Sequence, residues 1–212
     1  MNVDVEGIMK ALILVDIQND FVPGGALAVR EGNTIIPIVN ELMEGFELIV
    51  ATQDWHPSNH GSFASNHQGK VPGDMIELNG LPQILWPTHC VQGSEGAEFV
   101  ASLDMSKVAR VFHKGTDVGI DSYSGFFDNG HRKATGLGAY LQEKGVTAVY
   151  VVGLATDYCV KFTALDAKGL GFTVYLIEDA CRGVNLQDGD VEHAIEEMRN
   201  AGVLIIRSIE LL

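Results

Sequence analysis

The sequence predicts an α/β protein with three α/β/α layers built around a six-stranded, mostly parallel sheet. Continuous apolar runs alternate along the chain with segments of helical spacing, a pattern typical of parallel sheets covered by helices on both faces. Three of the helical segments are followed by glycine, a common helix stop. The 212 residues are enough for one domain with a substantial core.

The elements follow from this alternation. Residues 11–15 form a continuous apolar run, as expected for a strand that is covered on both faces. Further strands are predicted at 48–52, 108–112, 146–152, 172–177 and 203–206, and helices at 34–44, 133–144, 157–168 and 191–201. Because residues 1–9 contain acidic side chains and no apolar core, we interpret them as an N-terminal extension and residues 10–212 as the single domain.

Composition excludes several classes of function. With 14 Lys and Arg against 28 Asp and Glu, the formal charge of −14 repels phosphate backbones and anionic lipids. We therefore expect no nucleic acid and no membrane partner, and no apolar stretch approaches the ~20 residues of a membrane span. The 3 cysteines show no disulfide spacing, which predicts a reducing, cytoplasmic compartment. The sequence leaves a homo-oligomer open.

Cys159 lies where a thiol can become reactive. A β-branched run ends at Gly153, and Thr156 or Asp157 can cap the helix that follows. The thiol would then sit in the first turn of a helix at the carboxyl end of a parallel strand, where open α/β sheets bind ligands. The helix dipole favours an anion there, so we expect the thiol to ionise near neutral pH. The alternative is a buried structural cysteine.

Asp16 and Lys114 end two other predicted strands. Asp16 directly follows the first apolar run, and Lys114 closes the third. For each residue considered alone, the alternative is a structural role: Asp16 would cap the following turn, and Lys114 would be a solvated lysine. If the strands are neighbours, both side chains reach Cys159, where a carboxylate can take the thiol proton and an ammonium favours the thiolate. Together the three predict an activated nucleophile for acyl transfer.

The candidate ligands of a metal site lie in a long loop at 55–95 or directly before it. This loop is too long to be a simple connection. Asp54 and His56 are two residues apart in an extended segment, so their side chains point to the same side. His89 lies far along the loop, and carboxylate and imidazole groups bind zinc, iron or manganese. His60 is a weaker candidate because the proline and glycine around it favour a loop. The alternative is a set of surface histidines.

Six motifs resemble the nicotinamidases (pyrazinamidases) of the isochorismatase-like cysteine hydrolase family, from residue 10 to the C-terminus. They are Val-Asp-Ile-Gln-Asn-Asp-Phe (15–21), Asp-Trp-His-Pro (54–57), Trp-Pro-Thr-His-Cys (86–90), Phe-His-Lys-Gly (112–115), Asp-Ser-Tyr-Ser-Gly-Phe (121–126) and Gly-Leu-Ala-Thr-Asp-Tyr-Cys-Val (153–160). Any one motif is modest evidence, whereas six in the family's order are specific. The resemblance implies an isochorismatase-like sheet of order 3-2-1-4-5-6.

The resemblance also implies roles for individual residues. The implied catalytic triad is Asp16, Lys114 and Cys159. One divalent metal ion, zinc first with iron or manganese as alternatives, would be held by Asp54, His56 and His89. His60 matches a fourth ligand that only some members have.

Other implied roles concern the substrate pocket. An aromatic pocket would be lined by Phe21, Trp86 and Tyr123. The backbone N–H groups of Ala155 and Cys159 match the family's oxyanion hole, and the bond between Leu154 and Ala155 matches a cis peptide.

The activity implied by the resemblance is hydrolysis of nicotinamide, a small-molecule substrate, to nicotinate and ammonia in NAD salvage, with pyrazinamide also accepted. The nearest alternative is an amidohydrolase acting on a ureido or carbamoyl substrate. The metal motif argues against it, because a pyridine nitrogen gives a metal something to hold. A noncatalytic ligand- or metal-binding protein is the alternative from another class. Isochorismate hydrolysis is disfavoured because it does not use this thiol.

Overall fold

A six-stranded parallel sheet runs through the centre of the protein. The computed structural model describes residues 9–212, and the strands within that range are β1 Met9–Val15, β2 Leu48–Asp54, β3 Met75–Leu78, β4 Leu81–Ile84, β5 Arg110–Lys114, β6 Val146–Leu154, β7 Thr173–Arg182 and β8 Leu204–Ile206. The sheet order is β5-β2-β1-β6-β7-β8, with every neighbouring pair parallel. Counted along the chain, these six strands have the order 3-2-1-4-5-6, so the predicted fold is confirmed.

Helices cover both faces of the sheet. They are α1 Ile36–Leu42, α2 Leu137–Glu143, α3 Lys161–Gly169 and α4 Asp190–Asn200. Leu12 and Leu14 of β1 pack into the core on the α1 side, whereas Ile13 packs into the core that α2, α3 and α4 share. This alternation explains why β1 is apolar throughout. No helix in the described part of the chain has the length and apolar character needed to cross a membrane.

Some predicted boundaries differ from the observed ones. The helix expected at 133–144 begins only at Leu137, because Gly136 has a φ of 95° and interrupts the helical backbone. The third strand of the sheet is shifted to Arg110–Lys114, which makes Lys114 its last residue. The predicted N-terminal extension lies outside the described residues except for Met9, which begins β1.

The long loop contains an antiparallel hairpin, β3–β4, that the sequence analysis did not predict. Asn79 and Gly80 connect its strands, with φ angles of 49° and 83°. Two residues with positive φ form the tight turn that Asn-Gly favours, so the signal was present in the sequence. The hairpin matters for function because Gln83 of β4 hydrogen-bonds Tyr123, which lines the pocket described below.

Candidate active site

The carboxyl ends of β1, β2, β5 and β6 form one edge of the sheet, and the candidate residues meet there. In the register of the sheet, Val15 pairs with Thr52 on one side and with Gly153 on the other. Lys114, the last residue of β5, pairs with Asp54, the last residue of β2. Adjacent parallel strands therefore bring residues distant in sequence to one point.

Lys114 is the centre of this group. Its Nζ lies 2.8 Å from Asp16 Oδ2, 2.7 Å from Asp54 Oδ1 and 3.3 Å from Cys159 Sγ. It also donates to the carbonyl oxygen of Ser122 at 2.8 Å. Burial disfavours the ammonium, but the two carboxylates outweigh it and raise the pKa of Lys114 well above its ordinary value. Lys114 therefore stays charged, and the proton acceptor has to be another group.

Asp16 has the geometry and the basicity of a proton acceptor. Its Oδ1 accepts a hydrogen bond from Thr52 Oγ1 at 2.6 Å. Its Oδ2 faces Lys114 but receives no well-aligned hydrogen bond from the described residues, so a lone pair stays free. Burial raises the pKa of Asp16, against the opposing charge of Lys114. A carboxylate with a raised pKa is a stronger base than an exposed one.

Cys159 sits in a short π-helical turn, Thr156–Val160, between β6 and α3. The expected side-chain cap from Thr156 or Asp157 is wrong, because the turn has Ala155 as its N-cap and no capping side chain. Asp157 instead accepts hydrogen bonds from the backbone N–H groups of Val184 and Asn185 at 2.9 and 2.7 Å. This contact ties the turn to the segment after β7.

The expected ionisation of Cys159 near neutral pH is also wrong for this environment. Burial raises the pKa of the thiol well above its ordinary value, and Lys114 lowers it only in part. The negative charges of Asp16 and Asp54 raise it further. The thiol therefore keeps its proton until a base removes it, and Asp16 is positioned beside the same ammonium to do so.

Ala155 and Cys159 both line the cavity in front of the thiol. The carbonyl of Ala155 accepts from the N–H groups of Tyr158 and Val160, each at 3.1 Å, which lie on either side of Cys159 in sequence. The peptide bond between Leu154 and Ala155 is cis. The two residues expected to supply the N–H groups of an oxyanion hole thus both border the cavity.

Asp54, His56 and His89 form a buried group that could hold a metal ion, with ligand atoms all within 4.8 Å of one another. His56 Nδ1 bonds the carbonyl of Gly115 at 2.8 Å, and His89 Nδ1 bonds that of Pro87 at 2.7 Å. Because a carbonyl oxygen only accepts, both Nδ1 atoms carry hydrogen, and each Nε2 keeps its lone pair.

Both free lone pairs point to one carboxylate oxygen. Nε2 of His56 lies 3.2 Å and Nε2 of His89 3.5 Å from Asp54 Oδ2. Nε2 of His56 is buried and has no hydrogen-bond partner among residues 9–212. Burial would raise the pKa of Asp54, but the ammonium of Lys114 helps to hold it well below its ordinary value. An ionised carboxylate with two converging imidazole lone pairs fits a divalent cation.

His60 is arranged differently. Its Nδ1 accepts a hydrogen bond from the backbone N–H of Ser62 at 3.2 Å, so the ring hydrogen belongs on Nε2. That Nε2 lies 3.4 Å from the carbonyl oxygen of Ile120. His60 groups with His56 and Asp121 rather than with Asp54. In this arrangement His60 offers no ring lone pair to a metal held by the other three residues.

The three predicted aromatic residues line one cavity with Cys159. Phe21, Trp86 and Tyr123 all border it. The hydroxyl of Tyr123 accepts from Trp86 Nε1 at 3.1 Å and from Gln83 Nε2 at 3.2 Å. Burial raises the pKa of Tyr123 well above its ordinary value, so this hydroxyl stays neutral. The hydrogen bonds fix the indole of Trp86 as a wall of the cavity.

Sequence reasoning missed several buried polar side chains that support these groups. Thr52 bonds Asp16, Gln18 bonds the backbone of Asp54, and Gln83 bonds Tyr123. Thr52 and Gln83 lie in strands, where a polar residue among apolar ones is a usable signal. Gln18 lies inside the first motif, but its neighbours in space come from distant parts of the chain.

Comparisons with known proteins agree with this geometry. The Isochorismatase domain family matches residues 10–210. A nicotinamidase from Escherichia coli (strain K12) is 52% identical over 200 residues, which cover 92% of this chain and 93% of that protein. The structure of a nicotinamidase pyrazinamidase from Acinetobacter baumanii is 51% identical, with a TM-score of 0.93, covering 96% of this chain and 98% of that one.

A pyrazinamidase from Pyrococcus horikoshii in complex with zinc is 44% identical, with a TM-score of 0.76. The match covers 93% of this chain and 98% of that chain. Family match, sequence identity and superposition extend over nearly the whole chain. The chain therefore belongs to the isochorismatase family and, within it, to the nicotinamidases.

Proposed function

We propose that this protein hydrolyses nicotinamide to nicotinate and ammonia through a covalent intermediate on Cys159, and that it also accepts pyrazinamide. The observation that carries the proposal is the position of Lys114. Its ammonium contacts the nucleophile Cys159, its base Asp16, and Asp54 of the group suited to bind a metal. Cys159, Asp54 and His89 line one cavity with aromatic walls, which suits a flat heteroaromatic amide.

In the first half of the reaction, Asp16 takes the thiol proton while the sulfur of Cys159 forms a bond to the carboxamide carbon. The electron pair of the C=O bond moves onto oxygen, where the N–H groups of Ala155 and Cys159 stabilise it. Removing one such donor typically costs ~10²–10³ in rate. Asp16 then gives the proton to nitrogen, the C–N bond breaks, and ammonia leaves a thioester on Cys159.

In the second half, water adds to the thioester carbon while Asp16 accepts one of its protons. The C–S bond breaks, Asp16 returns that proton to the sulfur, and nicotinic acid leaves and releases its remaining proton to solvent to give nicotinate. Lys114 keeps its charge in both halves, because Asp16 and Asp54 hold its pKa high despite burial. Its role is to stabilise the thiolate as it forms and to orient the carboxylate.

Asp54, His56 and His89 would hold the divalent metal, with zinc as the first choice and iron or manganese as alternatives. A bound metal supplies a Lewis acid that can hold a pyridine nitrogen. Phe21 and Trp86 would then hold the aromatic ring in front of Cys159. The three cysteines of the chain are free and buried, which supports the expectation of a reducing, cytoplasmic compartment.

A substrate panel tests the proposal. The purified protein, loaded separately with zinc, iron or manganese, is assayed for ammonia release from nicotinamide, pyrazinamide and several ureido and carbamoyl compounds. We expect release from the two heteroaromatic amides. Turnover of only the ureido or carbamoyl compounds would reject the substrate. Binding of nicotinamide without any turnover would favour the noncatalytic alternative.

The role of Asp16 has its own test. Asp16→Asn keeps the size of the side chain and removes the base, so we expect loss of turnover with the fold retained. Full activity in this variant would reject Asp16 as the proton acceptor.

A further inference from the structure

Gln18 is fully buried and makes hydrogen bonds to both backbone groups of Asp54. Its Oε1 accepts from the N–H of Asp54 at 2.8 Å, and its Nε2 donates to the carbonyl of Asp54 at 2.9 Å. The second hydrogen on Nε2 goes to the carbonyl of Ala97 at 2.8 Å. Every hydrogen of this side-chain amide is therefore used, and two of its three bonds hold one residue.

The course of β1 explains why Asp54 needs this partner. The backbone ladder between β1 and β2 ends at the pair Val15–Thr52. Asp16 then has a φ of 50°, which turns the chain away from β2 after a last bond from Asp16 N–H to the carbonyl of Thr52. β2 continues for two more residues, to Asp54. The side chain of Gln18 supplies the next step of the ladder in place of backbone.

The side chain of Asp54, whose backbone is held in this way, makes two separate contacts. Asp54 Oδ1 bonds Lys114 at 2.7 Å, while Asp54 Oδ2 faces the lone pairs of His56 and His89 at 3.2 and 3.5 Å. A shift of the Asp54 backbone would disturb both contacts at once. On the opposite edge of β2, Asp54 pairs with Lys114 of β5, so Gln18 completes its fixation from the β1 side.

We infer that Gln18 is a positioning residue that holds Asp54 in place for metal binding and for its contact with Lys114. This inference rests on the proposed metal role of Asp54. Partners that orient metal ligands commonly contribute 10–100-fold to metal affinity, so loss of both bonds to Asp54 has a measurable consequence.

Gln53 provides a matched control. It precedes Asp54 in sequence, is also buried, and its Nε2 donates to the same carbonyl of Ala97 at 2.8 Å. Within the described residues, the Gln53 side chain makes its hydrogen bond to Ala97 and none to Asp54. A purely structural loss of a buried amide should therefore affect Gln18 and Gln53 variants alike.

The test compares Gln18→Met with Gln53→Met, both of which keep the length of the side chain. Zinc-loaded protein is mixed with a chromogenic chelator, and the rate of zinc release is followed together with KM and kcat for nicotinamide. We expect zinc release about tenfold or more faster in Gln18→Met and within about twofold of wild type in Gln53→Met. We expect kcat to fall in Gln18→Met in parallel with zinc occupancy.

Gln18→Glu keeps the test decisive if Gln18→Met fails to fold. A protonated glutamate can still accept from the N–H of Asp54, but it has a single O–H for the carbonyls of Asp54 and Ala97 that Nε2 binds together, so we expect an intermediate rate of zinc release. Equal zinc release in the Gln18 variants and Gln53→Met would overturn the inference. Zinc release is measured without substrate. If the wild type does not hydrolyse nicotinamide, the proposed reaction is rejected, but the zinc-release rates still decide whether Gln18 positions Asp54.

Discussion

The Lys114 ammonium lies 2.7 Å from Asp54 Oδ1, so one cation joins the proposed catalytic triad to the proposed metal group. The same ammonium lies 2.8 Å from Asp16 and 3.3 Å from Cys159. Lysine is therefore shared between two buried carboxylates and a thiol. Removing its charge should change the ionisation of all three groups.

Replacement of Lys114 by Ala or Met should raise the pKa of Cys159 further. Lys114 opposes the effect of burial on this thiol, so without it the thiolate is less stable. The rate of Cys159 alkylation as a function of pH should shift to higher pH. Lys161→Ala, which removes an ion pair to Glu197 elsewhere, is the control. An unchanged alkylation profile in the Lys114 variants would remove Lys114 from this role.

Metal retention should separate His89 from His60. His89→Asn removes a lone pair directed at Asp54 Oδ2, whereas His60 has its ring hydrogen on the corresponding atom. After dialysis against a chelator, we expect His89→Asn to have lost its metal and His60→Asn to retain about one ion per chain. Metal content by mass spectrometry gives the answer. Loss from both variants to the same degree would restore His60 as a fourth ligand.

Gly115→Ala should weaken metal binding through His56. Gly115 has a φ of 63°, and a Cβ placed there would lie 2.6 Å from His56 Nδ1, too close for a real contact. His56 would have to move and lose its bond to the carbonyl of Gly115. We expect at least a tenfold rise in the metal dissociation constant, measured by competition with a chelator.

Gly69→Ala is the control for backbone strain in that experiment. Gly69 has a φ of 73°, and its Cβ would meet no atom of the described residues within 4 Å. Both variants carry a positive φ, which costs roughly 1–2 kcal/mol for alanine. If Gly69→Ala weakens metal binding as much as Gly115→Ala, strain rather than contact with His56 is responsible.

The buried thiol of Cys181 should make stability fall at alkaline pH. Burial raises its pKa from the ordinary 9.0 to about 12. Between these values the unfolded state binds fewer protons than the folded state, so the free energy of unfolding falls as pH rises. The slope from one such group is up to about 1.4 kcal/mol per pH unit. Urea unfolding of wild type and Cys181→Ala at pH 8, 9 and 10 should show a flatter dependence in the variant. Parallel slopes would contradict the shift.

Much of the fold could be predicted because its pattern is local. The apolar run at 11–15 reports directly that β1 is covered on both faces, since Leu12 and Ile13 enter different cores. The hairpin was missed although Asn79 and Gly80 form its turn, because β3 and β4 are half-exposed and lack an apolar run. A turn signal alone is weaker than a run of buried side chains.

The candidate site, like the fold, could be predicted from the sequence only in part. Asp16, Lys114 and Cys159 could be brought together from the sequence because parallel strands end at one edge. The raised pKa of Cys159 could not be predicted, since it depends on burial and on carboxylates from two other strands. The bond from Gln18 to Asp54 also depends on how the chain turns after β1, which no residue pattern reports.

Ammonia release from nicotinamide, with metal-loaded wild type and Cys159→Ala measured side by side, tests the central claim most directly. We predict release by the wild type and none by the variant, with both proteins folded and holding metal. Release by Cys159→Ala at the wild-type rate would contradict the covalent mechanism. No release by the wild type would contradict the substrate.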